Sequence, residues 1–209
     1  MFKVKKMAYE KIYRKWRITL SRLFAAALAV VILFSTSKWE SIDMVSTFFF
    51  LSGAVLVGIA TVGRLWCSLY ISGYKSKSLV VAGPYSVCRN PLYFFSLLGG
   101  IGVGLATETL TIPLLILIGF VIYYPNVINR EQKRLAELHG QTYQEYCKKT
   151  PCFLPSLSLL YEPDEYSVRP KLFRKNLFDA LCFIWIVGIL ELIEGLHEAQ
   201  ILPVLFGLY

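Results

Sequence analysis

A chain of 209 residues with 56% hydrophobic and only 17% charged residues is more apolar than a soluble domain of that length. Its formal net charge is nevertheless +8, from 22 Lys+Arg against 14 Asp+Glu. That pairing excludes a disordered chain, a secreted disulfide scaffold and an ordinary cytosolic globule, and leaves a nucleic-acid binder with a large core or an integral membrane protein with its basic residues on one side.

The chain opens with eight basic residues between Lys3 and Arg22. A first charge-poor apolar stretch follows at 23–36, with no small-residue cleavage site after it, so it reads as a span and not as a removed leader. Further stretches lie at 45–62, 92–106, 110–128 and 177–193. A crossing helix needs roughly 20 mainly apolar residues. Four of the five stretches reach that length with their flanks, whereas 92–106 must borrow from its flanks or sit obliquely. The expected fold is an all-α integral membrane protein of about five transmembrane helices. Three parts are expected: 1–63 with the basic segment and two spans, 64–155 with two more, and 156–209 as linker and last span.

With the N-terminus inside, 21 of the 22 Lys+Arg fall on one face and only Lys38 falls outside. Basic connections stay on the cytoplasmic side, so the expected location is multi-pass, with the N-terminus and the active face cytoplasmic. The nucleic-acid reading fails, because its basic residues would form a patch on a folded face instead of lying between apolar spans. Cys67, Cys88, Cys147, Cys152 and Cys182 are odd in number and map to the inner side or to a span, which points to reduced thiols. None has zinc-ligand spacing, and no metal site is expected.

The outer connections, 37–44 and 107–109, are too short to build a site. The two inner segments are long and patterned. In the first, Gly83-Pro84 is a turn signal, Asn90 falls at a helix N-cap and Pro91 suits the first helical position. A helix start of this kind favours anions, and Arg89 adds a guanidinium fork that can grip a carboxylate. Tyr85 and Tyr93 offer flat faces and hydroxyls. In the second, Glu131, Leu135 and Leu138 recur at helical spacing, Gly140 reads as a C-cap, and Tyr143 and Tyr146 share a face. A carboxylate at the membrane boundary on such a face needs a partner.

The order Leu79-Val80, Gly83-Pro84-Tyr85, Arg89-Asn90-Pro91-x-Tyr93, a pair of spans, Glu131, Gly140-x-x-Tyr143-x-x-Tyr146 and Pro151-x-x-x-Pro155 resembles the isoprenylcysteine carboxyl methyltransferases and the related phospholipid methyltransferases, over about residues 64–155. The resemblance implies a membrane enzyme that uses S-adenosylmethionine in a cytoplasm-facing pocket over the helix ends, with methyl acceptors arriving from the bilayer. It implies cofactor contacts at Leu79, Val80, Tyr85, Pro91 and Tyr93, and cofactor binding by Glu131. This chain has Asn90 where the family usually has His, Gln132 where a second acid often follows, and Cys152 in place of an Arg. The substrate-contacting Arg of the eukaryotic enzymes corresponds to Val127.

The residues themselves agree with that chemistry. S-adenosylmethionine presents a carboxylate, an ammonium, a sulfonium and a flat adenine. Arg89 and the helix start suit the carboxylate, Glu131 suits the ammonium, and the tyrosines suit the ring. Arg89, Asn90 and Glu131 are the expected catalytic residues. The expected cofactor set is Leu79, Val80, Tyr85, Arg89, Asn90, Pro91, Tyr93, Glu131, Tyr143 and Tyr146. The expected partner is a lipid or lipophilic small molecule. An NADPH-dependent membrane reductase of the sterol or enone type and a non-catalytic membrane scaffold are the alternatives. Gly99, Gly100, Gly102 and Gly104 read as a close-packing helix face, since no strand precedes them. Glu191, Glu194 and His197 read as polar packing at the outer helix end.

Overall fold

The computed structural model describes residues 2–39, 41–73 and 78–209, with the side chains of residues 2–15 and of Arg17 outside the description. The side chains of the basic cluster from Lys3 to Arg17, and the residues Lys75 and Lys77, therefore lie outside the description. In chain order the elements are α1 (Phe2–Leu33), β1 (Ser35–Ser37), α2 (Asp43–Ile71), a single turn α3 (Pro84–Val87), α4 (Pro91–Leu105), α5 (Thr111–Lys149), α6 (Pro170–Glu198) and β2 (Phe206–Leu208). A short 3-10 turn, Leu157–Leu159, lies between α5 and α6.

Among the described residues, three helices are long and apolar enough to cross a membrane: α2, α5 and α6. Two more apolar helical stretches are shorter, Ile18–Leu33 within α1 and α4 itself. At 1.5 Å per residue, the 15 residues of α4 span about 22 Å, short of a hydrocarbon core of about 30 Å. Exposed side chains such as Val55, Val62, Ile122 and Leu192 give the crossing helices an apolar exterior. In water that surface would cost roughly 25 cal/mol per Å², whereas lipid accepts it.

The bundle closes around α4. Gly102 of α4 and Gly53 of α2 meet backbone to backbone, and a Cβ at Gly102 would lie 2.8 Å from the Gly53 carbonyl oxygen. With little hydrophobic drive between helices in lipid, such close approach replaces it with van der Waals contact. Val57, Val103, Ala106 and Leu190 form the buried cluster there, which draws α6 onto the same centre. Gly99 and Gly104 are similarly tight, against Phe183 and Pro113.

Two features depart from the sequence reading. α2 continues to Ile71, so Arg64 lies inside a helix, where its guanidinium donates to Ser96 Oγ and to the Asp179 carbonyl. The fold is not purely helical, because β1 and β2 pair in parallel and tie the end of the chain to the α1–α2 connection. The Tyr209 carbonyl accepts from the Leu110 and Thr111 N–H groups at 2.8 and 2.7 Å, satisfying donors at the start of α5. The polar packing expected at the end of α6 is present: His197 Nε2 lies 3.0 Å from the Leu33 carbonyl oxygen, while Glu191 is exposed.

Candidate active site

The site begins with a turn that only glycine makes easily. Gly83 sits at φ 60°, ψ −132°, and opens onto the one-turn helix α3 through Pro84 at its first position. This places Tyr85 in the interior beside Tyr70, Cys67 and Ala82. The chain then extends through Cys88 and enters α4 at Asn90 and Pro91. Asn90 is the N-cap residue, as its position predicts, but its side chain makes no capping bond. Its Nδ2 donates 2.8 Å to the Cys152 carbonyl instead. The amide thereby fastens the segment after α5 to the start of α4.

α5 supplies the opposite wall. Glu131 and Leu135 line the same cleft, whereas Leu138 is half exposed, because by then the helix has left the packed bundle. Gly140, expected as a C-cap, breaks α5 at φ 53°, ψ −123°, but the helix resumes and runs to Lys149. The break redirects the last turns over the cleft, so Tyr143 and Tyr146 become buried lining residues and not interfacial ones. Tyr146 donates its hydroxyl 2.6 Å to the Tyr85 carbonyl, joining the end of α5 to α3. The Arg89 N–H donates 2.9 Å to the Pro151 carbonyl and closes the circuit.

The result is one cleft of about 870 Å³, measured to its open mouth, that gathers all ten residues singled out from the sequence. Ile71, Ser78, Leu92, Gln132, Arg134 and Leu135 also line it. Leu135, four residues on, was accessible to helical spacing from Glu131. Ile71 was not, because nothing in the sequence says where α2 ends relative to α4.

Tyr93 donates to Glu131 Oε2 at 2.9 Å, which aims the carboxylate and leaves its other oxygen uncommitted among the described residues. Arg89 Nη1 lies 2.7 Å from Cys147 Sγ. Gln132 Nε2 lies 3.0 Å from Cys152 Sγ, so a thiol occupies the space beside both family-divergent positions, 90 and 132. Among the described residues, two buried polar atoms here have no partner, the Tyr85 hydroxyl and Arg89 Nε. Burial pushes the Tyr85 hydroxyl well above the usual tyrosine range, so it stays a neutral donor. An orphaned buried donor is costly unless a ligand or water meets it.

Cys88 lies behind the cleft, fully buried, and burial pushes its thiol up to about 11. The neutral thiol is therefore favoured by the fold. That contribution is complete below about pH 9, its ordinary value, and is lost as pH rises toward 11. Cys88 should resist maleimide at pH 8 in the folded protein and react on unfolding. Rapid labelling without unfolding would contradict this burial.

Among the described residues, no group of three or more His, Cys, Asp or Glu gathers in metal-binding geometry. The sequence model of the phospholipid methyltransferase family matches residues 21–142, and the chain belongs to that family. It is 37% identical to the cobalt-zinc-cadmium resistance protein CzcN of Cupriavidus metallidurans, over 90% of this chain and 83% of that one. It is 35% identical to the nickel-cobalt-cadmium resistance protein NccN of Alcaligenes xylosoxydans xylosoxydans, over 90% of this chain and 87% of that one. No solved structure matches the chain.

Proposed function

We propose that the protein is an integral membrane enzyme that moves a methyl group from S-adenosylmethionine to a lipid or lipophilic small molecule. It works from a cleft on the cytoplasmic side of about five crossing helices, with α4 and the apolar part of α1 as the two short ones. The observation that carries this reading is a single cleft holding a carboxylate with a free oxygen, a guanidinium and an unpartnered buried hydroxyl, at a helix start. That donor and acceptor set fits a zwitterionic amino acid joined to an aromatic base.

Glu131 would hold the cofactor's ammonium with the oxygen Tyr93 leaves open. Arg89 and the start of α4 would hold the carboxylate. Tyr85 would donate its orphaned hydroxyl, while Leu79 and Val80 would cover the base. When bound, S-adenosylmethionine supplies an activated methyl, whose bond to sulfur breaks as an acceptor lone pair attacks and whose electrons leave on sulfur. The chain's contribution is to hold the acceptor in line and to exclude water. Asn90 cannot take a proton, and its amide is engaged by Cys152, so it acts here as a positioning residue.

The two relatives are named for resistance to divalent metals. A lipid acceptor gives that association a chemical route, since methylating a headgroup alters how a membrane surface holds cations. The test is calorimetry of S-adenosylmethionine with the full chain in a fold-preserving detergent, followed by transfer of labelled methyl into total lipid extract. We expect binding and label in the lipid fraction. No binding would overturn the reading, and binding without any transfer would favour the scaffold.

A further inference from the structure

The stretch 150–161 follows the last turn of α5 and carries no charged residue. Its backbone is irregular apart from the turn Leu157–Leu159. Leu154, Leu157, Leu159 and Leu160 are all exposed, Leu154 and Leu157 by 72% and 74%. Against water they would form an uncovered apolar patch.

Phe153 sets the depth of this stretch. Its ring packs on Phe94 of α4 and Phe120 of α5, with centroids 5.8 and 5.7 Å away. Phe120 stands nine residues into α5, about 14 Å along the helix from Thr111. A hydrocarbon core of about 30 Å puts that position near mid-membrane. The chain therefore runs out along α5 as far as Lys149 and then turns back to the level of the crossing helices.

Irregular backbone persists at that level only where protein satisfies its polar groups. Pro151 and Pro155 have no N–H to bury. The Pro151 and Cys152 carbonyls accept from the Arg89 N–H and the Asn90 amide at 2.9 and 2.8 Å. The Ser156 N–H donates 2.9 Å to the Val87 carbonyl, and the Tyr161 N–H donates 2.9 Å to Ser86 Oγ. The Tyr161 carbonyl accepts from the Gly83 N–H at 2.8 Å.

We propose that residues 150–161 form an interfacial segment whose partner is the lipid leaflet on the cleft side, with Leu154, Leu157 and Leu160 seated among the acyl chains. Continuity favours lipid over a protein cover, because Phe153 joins the segment to the lipid-facing helices. Lys148 and Lys149 are exposed at its entry, where ammonium groups meet headgroup phosphates. The same segment holds Arg89 and Asn90, so its seat in lipid also fixes the rim of the cleft. None of this depends on the reaction the cleft performs.

The experiment uses the full chain in vesicles of dioleoylphosphatidylcholine, with and without its acyl-brominated analogue, and with iodide on both sides of the membrane. Leu154→Trp and Leu157→Trp are each read as the emission added to that of the parent chain. Both sites are exposed, so a larger apolar side chain needs no repacking, and each variant reports independently of the other. Val121→Trp, on the exposed flank of α5, supplies the lipid reference. The added emission should be lost largely to brominated lipid, as in Val121→Trp, and little of it to iodide. Quenching by iodide and not by brominated lipid would overturn the proposal and place the leucines in water, open to a protein partner. Protection from both quenchers would overturn it as well and assign the patch to a second copy of the chain.

Discussion

Replacing Glu131 with Gln is expected to weaken S-adenosylmethionine binding by roughly ten- to a hundredfold, the loss of one charge-assisted contact worth about 1.5–3 kcal/mol. Gln is nearly isosteric and its amide oxygen can still accept from the Tyr93 hydroxyl, so the local fold should survive. What disappears is the negative charge that would meet the cofactor's ammonium. Tyr93→Phe should have a smaller effect, since it frees the carboxylate to reorient without removing it. Calorimetry on the two variants separates charge from aim. Unchanged affinity in Glu131→Gln would remove Glu131 from the cofactor site.

Gly83→Ala should cost as much through structure as Glu131→Gln costs through charge. Gly83 holds φ 60°, ψ −132°, a region that non-glycine residues occupy at about 1–3 kcal/mol. A Cβ there would also lie 2.4 Å from the Tyr70 ring. That ring cannot swing aside cheaply, because its hydroxyl donates 3.0 Å to Glu162 and its face packs on Tyr166 at 4.6 Å. Together the terms predict a loss of about 3 kcal/mol, or an apparent Tm lower by roughly 6–12 °C for a chain of this size. Cofactor affinity should fall in parallel, since the turn sets the depth of Tyr85. An unchanged Tm, measured in the same detergent, would show that the turn tolerates a side chain.

The site was more legible in the sequence than the bundle around it. Gly83-Pro84, Asn90-Pro91 and the Tyr143, Tyr146 pair are short-range signals, where a turn, a cap or a helix face follows from two to four neighbouring residues. The lengths of the spans were less legible. Apolar composition marks where a helix prefers lipid, but helix ends depend on partners, as Arg64 shows by continuing α2 into contact with Ser96 and Asp179. Gly140 illustrates the same limit. Its residue type announces a break, yet only packing on α3 decides that the helix resumes and folds Tyr146 onto Tyr85. The pairing of β1 with β2 left no trace in the sequence, since three-residue strands carry no periodicity.

By itself, the sequence determined the apolar yet basic character of this chain, the segments that turn or cap, and the charged and aromatic residue types that line the cleft. These are local properties of composition and spacing. The tertiary structure alone decided that residues from 79 to 146 share one cleft and that Asn90 turns to Cys152 instead of capping α4. The reason is physical: convergence depends on how closely helices approach, which Gly53 against Gly102 sets by contact and no single segment encodes.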